Sequence, residues 1–489
     1  MVKRDRLQYV AKDIGRNEEF MQVELGVGTS YDIDYRELFV LNRKVQLYYI
    51  NGLVDDTTVT EILKKLVEIN DDESESAEIY EIIKNRLVNQ QVDPENKINK
   101  LADELLSGLV IVFIDGERTA FIVDVRHYPG RQPEEPDTER VIRGSRDGFT
   151  ENIVENTALT RRRVKDKRLR NELVKVGKRS KTEVSISYID TIVNEKTVQA
   201  VKDKLKQIDI DGLIMADKAL TEFFVEQKWN PFPLVRFTER PDVAGHHLLS
   251  GFLILMVDTS PNVIIVPTTF FDHLEHAEEF RQVPIIGTMT RWIRILAVLS
   301  SVFLVPVWLL FVMEPQLLPE NLSFIGPDKT GNVKIGIQII LAFLGVEFLR
   351  MAAIHTPTPL ATALGLIAAV LIGDIAVDVG LFNAEVILYV AVSTIGSYVT
   401  PSYELSVANK FIELSFIIAI LTFGMSGFMI ALTVTIIYLV QLKTIDAPYF
   451  WPLIPFDRKS FLRLIFRLPV PYVESRPKIV FPKNVIRQK

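Results

Sequence analysis

"SGLVIVFIDGERTAFIVDV", from Ser107 to Val125, has a counterpart in "SGFLILMVDTSPNVIIVPT", from Ser250 to Thr268. Both open on Ser-Gly, run through apolar residues, reverse on an aspartate-led turn and run apolar again. Such a stretch reads as a β-hairpin. Apolar residues at every position, not alternate ones, predict strands covered on both faces. Asp115 and Asp258 hold equivalent places and read as turn residues before catalytic ones.

Working outward, "YYINGLVDDTTVTEILKKL" (Tyr48–Leu66) matches "SYIDTIVNEKTVQAVKDKL" (Ser187–Leu205) at an offset of 139 residues, against 143 for the hairpins. Tyr49/Tyr188, Val59/Val198 and Leu66/Leu205 fall in register. Two copies describe a duplicated lobe, not a solenoid. Each lobe reads as strand, amphipathic helix, further helix and hairpin. Acidic "NDDESES" (Asn70–Ser76) and proline-rich "PGRQPEEPD" (Pro129–Asp137) read as exposed linkers.

Charge divides the chain of 489 residues. Lys and Arg against Asp and Glu count 40 to 50 over residues 1–290, 6 to 9 over 291–442, and 10 to 3 over 443–489. Ile295 to Met313 carries no charge and is long enough to cross a hydrocarbon layer of ~30 Å. Further spans are expected near Ile335–Ile354, Leu360–Gly380 and Ala384–Thr400. Leu414 to Leu442 is uncharged for 29 residues, too long for a simple span. Gly424 and Gly427 break it, so a re-entrant hairpin is expected ahead of a long kinked span. Arg291, Trp292 and Arg294 read as a basic and aromatic anchor, and with the basic tail they place both termini in the cytoplasm. Four crossings plus the hairpin, or six, follow.

The fold class is therefore a duplicated two-lobe α/β cytosolic domain followed by a polytopic α-helical membrane domain. The expected boundaries are 1–128 for the first lobe, 129–180 for a linker and basic helix, 181–290 for the second lobe, 291–442 for the spans and 443–489 for a basic cytosolic tail.

Ionisable residues inside the spans are the candidate functional residues, because each costs about 2.5–3.5 kcal/mol to insert and must face protein or water. Glu347 and Arg350 stand three apart on one helical face and read first as a structural ion pair. Asp374 and Asp378 have no basic residue in their own span. For Asp374 a water-filled pathway and an interfacial ledge stand equal. Glu385 and Glu413 complete the set. Carboxylates ringed by several chains around a pore favour cations.

Enzyme chemistry finds little support. The chain has no cysteine, which excludes disulfides and thiolate sites. His273 and His276 in "DHLEHAEE" lack an obvious third ligand and read as part of a juxtamembrane amphipathic helix. No phosphate-cradling loop ending in Lys-Ser or Lys-Thr is present, and no cofactor is implied.

Between the lobes lies "RGSRDGFTENIVENTALTRRRV" (Arg143–Val164), a loop followed by a helix that Thr150 can cap, with Glu151 and Asn152 in its first turn. Arg161, Arg162 and Arg163 begin a run of seven basic residues within ten positions. The surrounding domain is acidic and no aromatic residues interleave the cluster, so nucleic acid is not the expected partner. An acidic surface of the same chain or of a neighbouring copy is. Arg143, Arg146, Asp147, Glu151, Arg161, Arg162 and Arg163 are the candidate interdomain or intersubunit contacts.

That signature, with "EFLR" at Glu347–Arg350, "TPLATALG" at Thr358–Gly365, "IGDIAVDVGL" at Ile372–Leu381, "PSYELS" at Pro401–Ser406 and "APYFWPLIP" at Ala447–Pro455, resembles the A-subunit family of bacterial spore germination receptors. Germinant-receptor members usually carry Pro-Arg-Glu where Ser145-Arg146-Asp147 stand here, and Gln at the place of Asp374. These departures favour the sporulation branch of the family. The resemblance implies a non-enzymatic protein of the inner spore membrane. It implies a homo-oligomeric ring, with five subunits the expected number, around a path for monovalent cations that amplifies the germination response. It also implies membrane lipid, a second small inner-spore-membrane protein and germinant receptors as partners. A non-conducting scaffold for receptors or dipicolinate-release proteins is the alternative.

Overall fold

The computed structural model describes residues 7–69, 78–87, 91–127, 139–225, 227–318, 320–326, 333–355 and 375–488. The chain divides into two compact units. One comprises Met1–Lys228, Val235–Pro267 and Val470–Lys489, and the other Trp229–Leu234 and Thr268–Pro469.

The first unit holds two five-stranded antiparallel sheets. Strands β1 (Ile33–Val40), β2 (Arg43–Ile50), β3 (Val92–Glu95), β4 (Val110–Ile114) and β5 (Ala120–Val123) lie in the order β1-β2-β4-β5-β3. Strands β6 (Leu169–Val176), β7 (Thr182–Ile189), β8 (Arg236–Thr238), β9 (Leu253–Val257) and β10 (Val263–Val266) repeat that order as β6-β7-β9-β10-β8. The two hairpins are β4–β5 and β9–β10, and all their residues are buried. Separate apolar clusters cover the two faces of the first sheet, which is why its hairpin shows no polar alternation. Strand β6 falls within 129–180, so part of the stretch expected as linker and basic helix is an edge strand of the second sheet.

The helices repeat as well. Helix α1 is Ile14–Phe20, α2 Asp56–Val67, α3 Ile98–Leu105, α4 Ile153–Arg163, α5 Glu195–Gln207 and α6 Pro241–Ser250. Helix α2 buries Val59, Ile62 and Leu66, and α5 buries the corresponding Val198, Val201 and Leu205, one stripe repeated in each lobe. The repeat also makes equivalents of two helices, α1 and α4, that the apolar pattern does not link. Asp13 caps α1 and Asn152 caps α4 through their side-chain oxygens. Asn17 brackets the backbone of Ala11 at 2.8 Å, and Asn156 brackets that of Thr150 at 2.6–2.7 Å. The hairpin aspartates complete the pattern: Asp115 accepts from Ile14 N at 3.2 Å and Asp258 from Ile153 N at 3.4 Å. They are turn residues that also hold the start of a helix. The cap of α4 is thus Asn152, not Thr150, and Glu151 precedes the helix; Thr150 instead accepts from Asn152 N at 3.2 Å.

The second unit is helical. Helix α7 is Pro284–Met313, α8 Ile335–His355, α9 Ala384–Tyr398 and α10 Tyr403–Gln441. Three of these, α7, α8 and α10, are long and apolar enough to cross a membrane, and α9 is shorter. The expected span Leu360–Gly380 falls mostly outside the described residues. Helices α7 and α9 run antiparallel, with Ser393 beside Ser301, Gly396 against the Ala297 carbonyl, and Tyr389 stacked on Trp308 at 4.8 Å.

Helix α10 is two arms. Phe416 and Phe428 would stand about 18 Å apart along a continuous helix, yet their ring centroids are 5.4 Å apart. The reversal is at Gly424, whose φ of 57° and ψ of −136° lie where residues with a Cβ are strained. Glu314, just past the end of α7, accepts from Met425 N at 2.7 Å and so caps the returning arm. The chain reverses at the expected glycine, but the first arm begins at Tyr403, eleven residues before the uncharged run, and is not the short arm of a re-entrant hairpin. That arm, through Phe423, is about 31 Å long and matches a full hydrocarbon layer.

Gly424→Ala is expected to lower stability by about 1–3 kcal/mol, since the alanine must hold a glycine conformation and its methyl meets the Glu314 carboxylate. Thermal unfolding of the detergent-solubilised protein checks this; an unchanged Tm would contradict the reversal.

Arg291 and Arg294 differ from their reading as headgroup anchors. Both are buried and paired with Glu279, itself fully buried; Arg291 Nε lies 2.7 Å from its carboxylate. Trp292 keeps half its surface exposed.

Candidate functional site

Two clusters of polar residues stand out, one in each unit. In the first unit, α4 is the joint between the lobes. Its Ala158 belongs to the apolar core of the first lobe and packs on Gly52, at φ 80°, where an added Cβ would stand only 3.0 Å from the Ala158 Cβ. Thr157 meets the Tyr31 hydroxyl at 2.9 Å, and burial raises the Tyr31 pKa well above its ordinary value, so it acts as a neutral phenol.

Arg161 is the centre of this joint. It is fully buried, and its guanidinium reaches Asp32 of the first lobe at 3.0 Å and the Leu169 carbonyl of β6 at 3.2 Å. Asp32 accepts further bonds from Ser30 at 2.8 Å and from Asn171 Nδ2 at 2.9 Å. One carboxylate therefore gathers the first lobe, the joint helix and the second sheet. A buried ion pair survives only with its remaining hydrogen-bond capacity filled, as here.

Lys167, Arg168 and Arg170 of the basic run dock on the first lobe of the same chain. Arg168 pairs with Glu24 at 2.9 Å, Lys167 with Asp103 at 3.1 Å, and Arg170 meets the Leu25 carbonyl at 3.0 Å. Arg163 binds Asp147 at 2.5 Å and Ser145 at 2.8 Å, joining helix and preceding loop. Burial raises the Asp147 pKa, but hydrogen bonds from Arg163 and Ser145 together outweigh it and hold it below its ordinary value. Arg143, Arg146, Glu151 and Arg162 are exposed. Arg240 was not anticipated: fully buried, it binds Asp242, the Glu139 carbonyl at 3.2 Å and the Ser145 carbonyl at 2.9 Å, anchoring the signature loop. Its sequence signal was slight, an arginine just before a helix-starting proline.

In the second unit, Glu347 of α8 pairs with Arg350 one turn on, as the spacing predicts, and also with Lys410 of α10. Arg350 lies over the Tyr403 ring, 5.7 Å from its centroid. One turn beyond Lys410, Glu413 is 1% exposed and accepts from Ser393 of α9 at 2.7 Å, while Ser393 donates to Ser301 O of α7 at 3.3 Å. Gln338 of α8 brackets Asn383 before α9, at 2.7 and 3.1 Å. Every described helix in this unit longer than ten residues thus joins a buried polar contact. Lys410 was missed because pairs were sought within one span, although Lys410-x-x-Glu413 shows the same spacing as Glu347-x-x-Arg350. Asp378 is exposed, Glu385 is half-buried, and Asp374 lies outside the described residues.

A duplicated α/β unit with an ion-paired joint, followed by apolar helices tied together by internal charges, defines a multi-helix membrane protein. The chain belongs to the GerA spore germination protein family: the family model described as "Bacillus/Clostridium GerA spore germination protein" matches residues 20–479. Stage V sporulation protein AF of Bacillus subtilis (strain 168) is 52% identical over 479 residues, 98% of this chain and 97% of that protein. Spore germination protein KA of the same organism is 28% identical over 492 residues, covering 99% and 90%. Among solved structures, the N-terminal domain of the A subunit of the Bacillus megaterium spore germinant receptor GerK3 is 28% identical, with a TM-score of 0.43, covering 55% of this chain and 99% of that one.

Proposed function

We propose that the protein is a subunit of an oligomeric channel of the inner spore membrane that releases monovalent cations and so amplifies the germination response, with both termini cytoplasmic. The observation that carries this reading is the buried carboxylate of Glu413, set among α7, α9 and α10 beside the Glu347–Arg350–Lys410 cluster. Ionisable groups kept inside apolar helices mark ion or proton paths more often than they add stability. Rings of such carboxylates around a shared axis select cations. Similarity to stage V sporulation protein AF supports a place in spores. A small membrane partner and the germinant receptors complete the proposed assembly.

Potassium flux from proteoliposomes tests the reading. Wild type is expected to conduct, and Glu413→Gln to reduce flux with folding retained, because the carboxylate attracts the ion. Mass photometry of the solubilised protein is expected to show a closed ring. Arg162→Glu, altering the exposed side of α4, is expected to dissociate it. No flux from an intact ring, with loss of receptor clustering on deletion, would leave the scaffold reading.

A further inference from the structure

We propose that helix α11 (Arg458–Ile465) and its aromatic flanks lie in the plane of the membrane–water interface and hold anionic lipid headgroups. Its level along the helical unit is set by hydrogen bonds to the start of α7. Arg291 donates to the carbonyls of Arg463 and Leu464, and Trp292 Nε1 donates to the Ile465 carbonyl at 2.9 Å. Just beyond, Arg467 N donates to Thr288 Oγ1 at 3.1 Å and its guanidinium to the Phe280 carbonyl at 2.9 Å. Helix α11 therefore lies beside the first turns of α7, one turn ahead of the charge-free run that begins at Ile295. That is where an apolar span meets headgroups.

The helix itself has nothing buried, although five of its eight residues from Arg458 are serine or apolar and two more apolar residues follow closely. Leu462 and Phe466 are exposed, and so are Met289, Trp292 and Ile293 in the same first turns of α7. Phe466 packs on Trp292 with ring centroids 5.7 Å apart. The other component is basic: residues 457–468 hold four Lys or Arg against one Asp, and Arg458 and Lys459 are exposed. An amphipathic basic helix continuous with that exposed apolar surface suits an anionic leaflet. Continuity with that surface favours lipid over a second protein as the occupant.

The absence of cysteine makes single-site labelling clean. Spin labels at Leu462→Cys and Phe466→Cys are read in the full chain, reconstituted in phosphatidylcholine with phosphatidylglycerol. Collision rates with oxygen and a water-soluble nickel chelate give depth. Leu299→Cys on α7 is the lipid reference and Lys196→Cys on α5 the aqueous one. The proposal expects both α11 labels about 5–10 Å below the headgroup boundary, several-fold richer in oxygen collisions than the Lys196 label. R458E/K459E, or pure phosphatidylcholine, is expected to shift them toward the aqueous value, by roughly fivefold in the bound-to-free ratio for each cation lost. Water-like labels in the anionic vesicles overturn the proposal. So do labels shielded from both reagents, which indicate a protein partner or second copy, and an unchanged depth after both perturbations. Wild-type thermal unfolding of each variant confirms that the fold is retained.

Discussion

Arg161→Met is expected to destabilise the first unit by about 3–5 kcal/mol, because it leaves Asp32 as a buried carboxylate without its cation. Asp32 is fully buried and takes its remaining bonds from Ser30 and Asn171, neither of which carries charge. Thermal unfolding should show a marked fall in Tm, with faster protease cleavage between the lobes. Adding Asp32→Asn to Arg161→Met should recover part of the loss, since the orphaned charge is then gone. Arg161→Lys should fall between, because an ammonium cannot reach Asp32, Leu169 and Asp166 together as the planar guanidinium does. A wild-type Tm for Arg161→Met would show that the lobes are held by apolar packing alone.

Glu347→Ala should be as damaging in the helical unit. It strands two cations, Arg350 and Lys410, that share its carboxylate, and each carries an insertion cost of about 2.5–3.5 kcal/mol when unpaired in an apolar span. The expected result is poor accumulation in the membrane and aggregation on solubilisation. Glu347→Ala with Lys410→Met should accumulate better, because Arg350 can still lie over the Tyr403 ring toward the helix end. Equal loss in the single and double variants would remove the case for coupling between α8 and α10. Glu413→Gln, by contrast, keeps a neutral group of the same shape able to accept from Ser393, so its effect should fall on ion movement and not on folding.

Much of the fold was legible because duplication writes the same pattern twice. The hairpins and the α2 and α5 stripes recur at nearly constant offsets, and local periodicity suffices to name them. The same offset of 139 also links Asp13-x-x-x-Asn17 to Asn152-x-x-x-Asn156, a short polar pattern among otherwise unlike residues. It marks helices α1 and α4 as equivalents, and it went unread because apolar residues dominate a search for repeats. The membrane boundary was harder. Counting charges began the last helix at Leu414, since Lys410 and Glu413 look like the end of a span. Their partners Glu347 and Ser393 are 63 and 20 residues away.

The sequence by itself determined the classes of structure: two copies of one lobe, a basic segment between them, and apolar spans carrying a few charges. Periodicity, spacing and composition are local properties, and they report what each segment must bury. Only the tertiary structure decided which charges are spent inside the chain. Arg161 neutralises Asp32, Arg291 and Arg294 neutralise Glu279, and Glu347 serves two cations, so residues that read as surface anchors or open contacts are internal ties. Whether a charge is exposed or paired depends on groups brought close only by folding, and desolvation makes that pairing decisive for where the charge can lie.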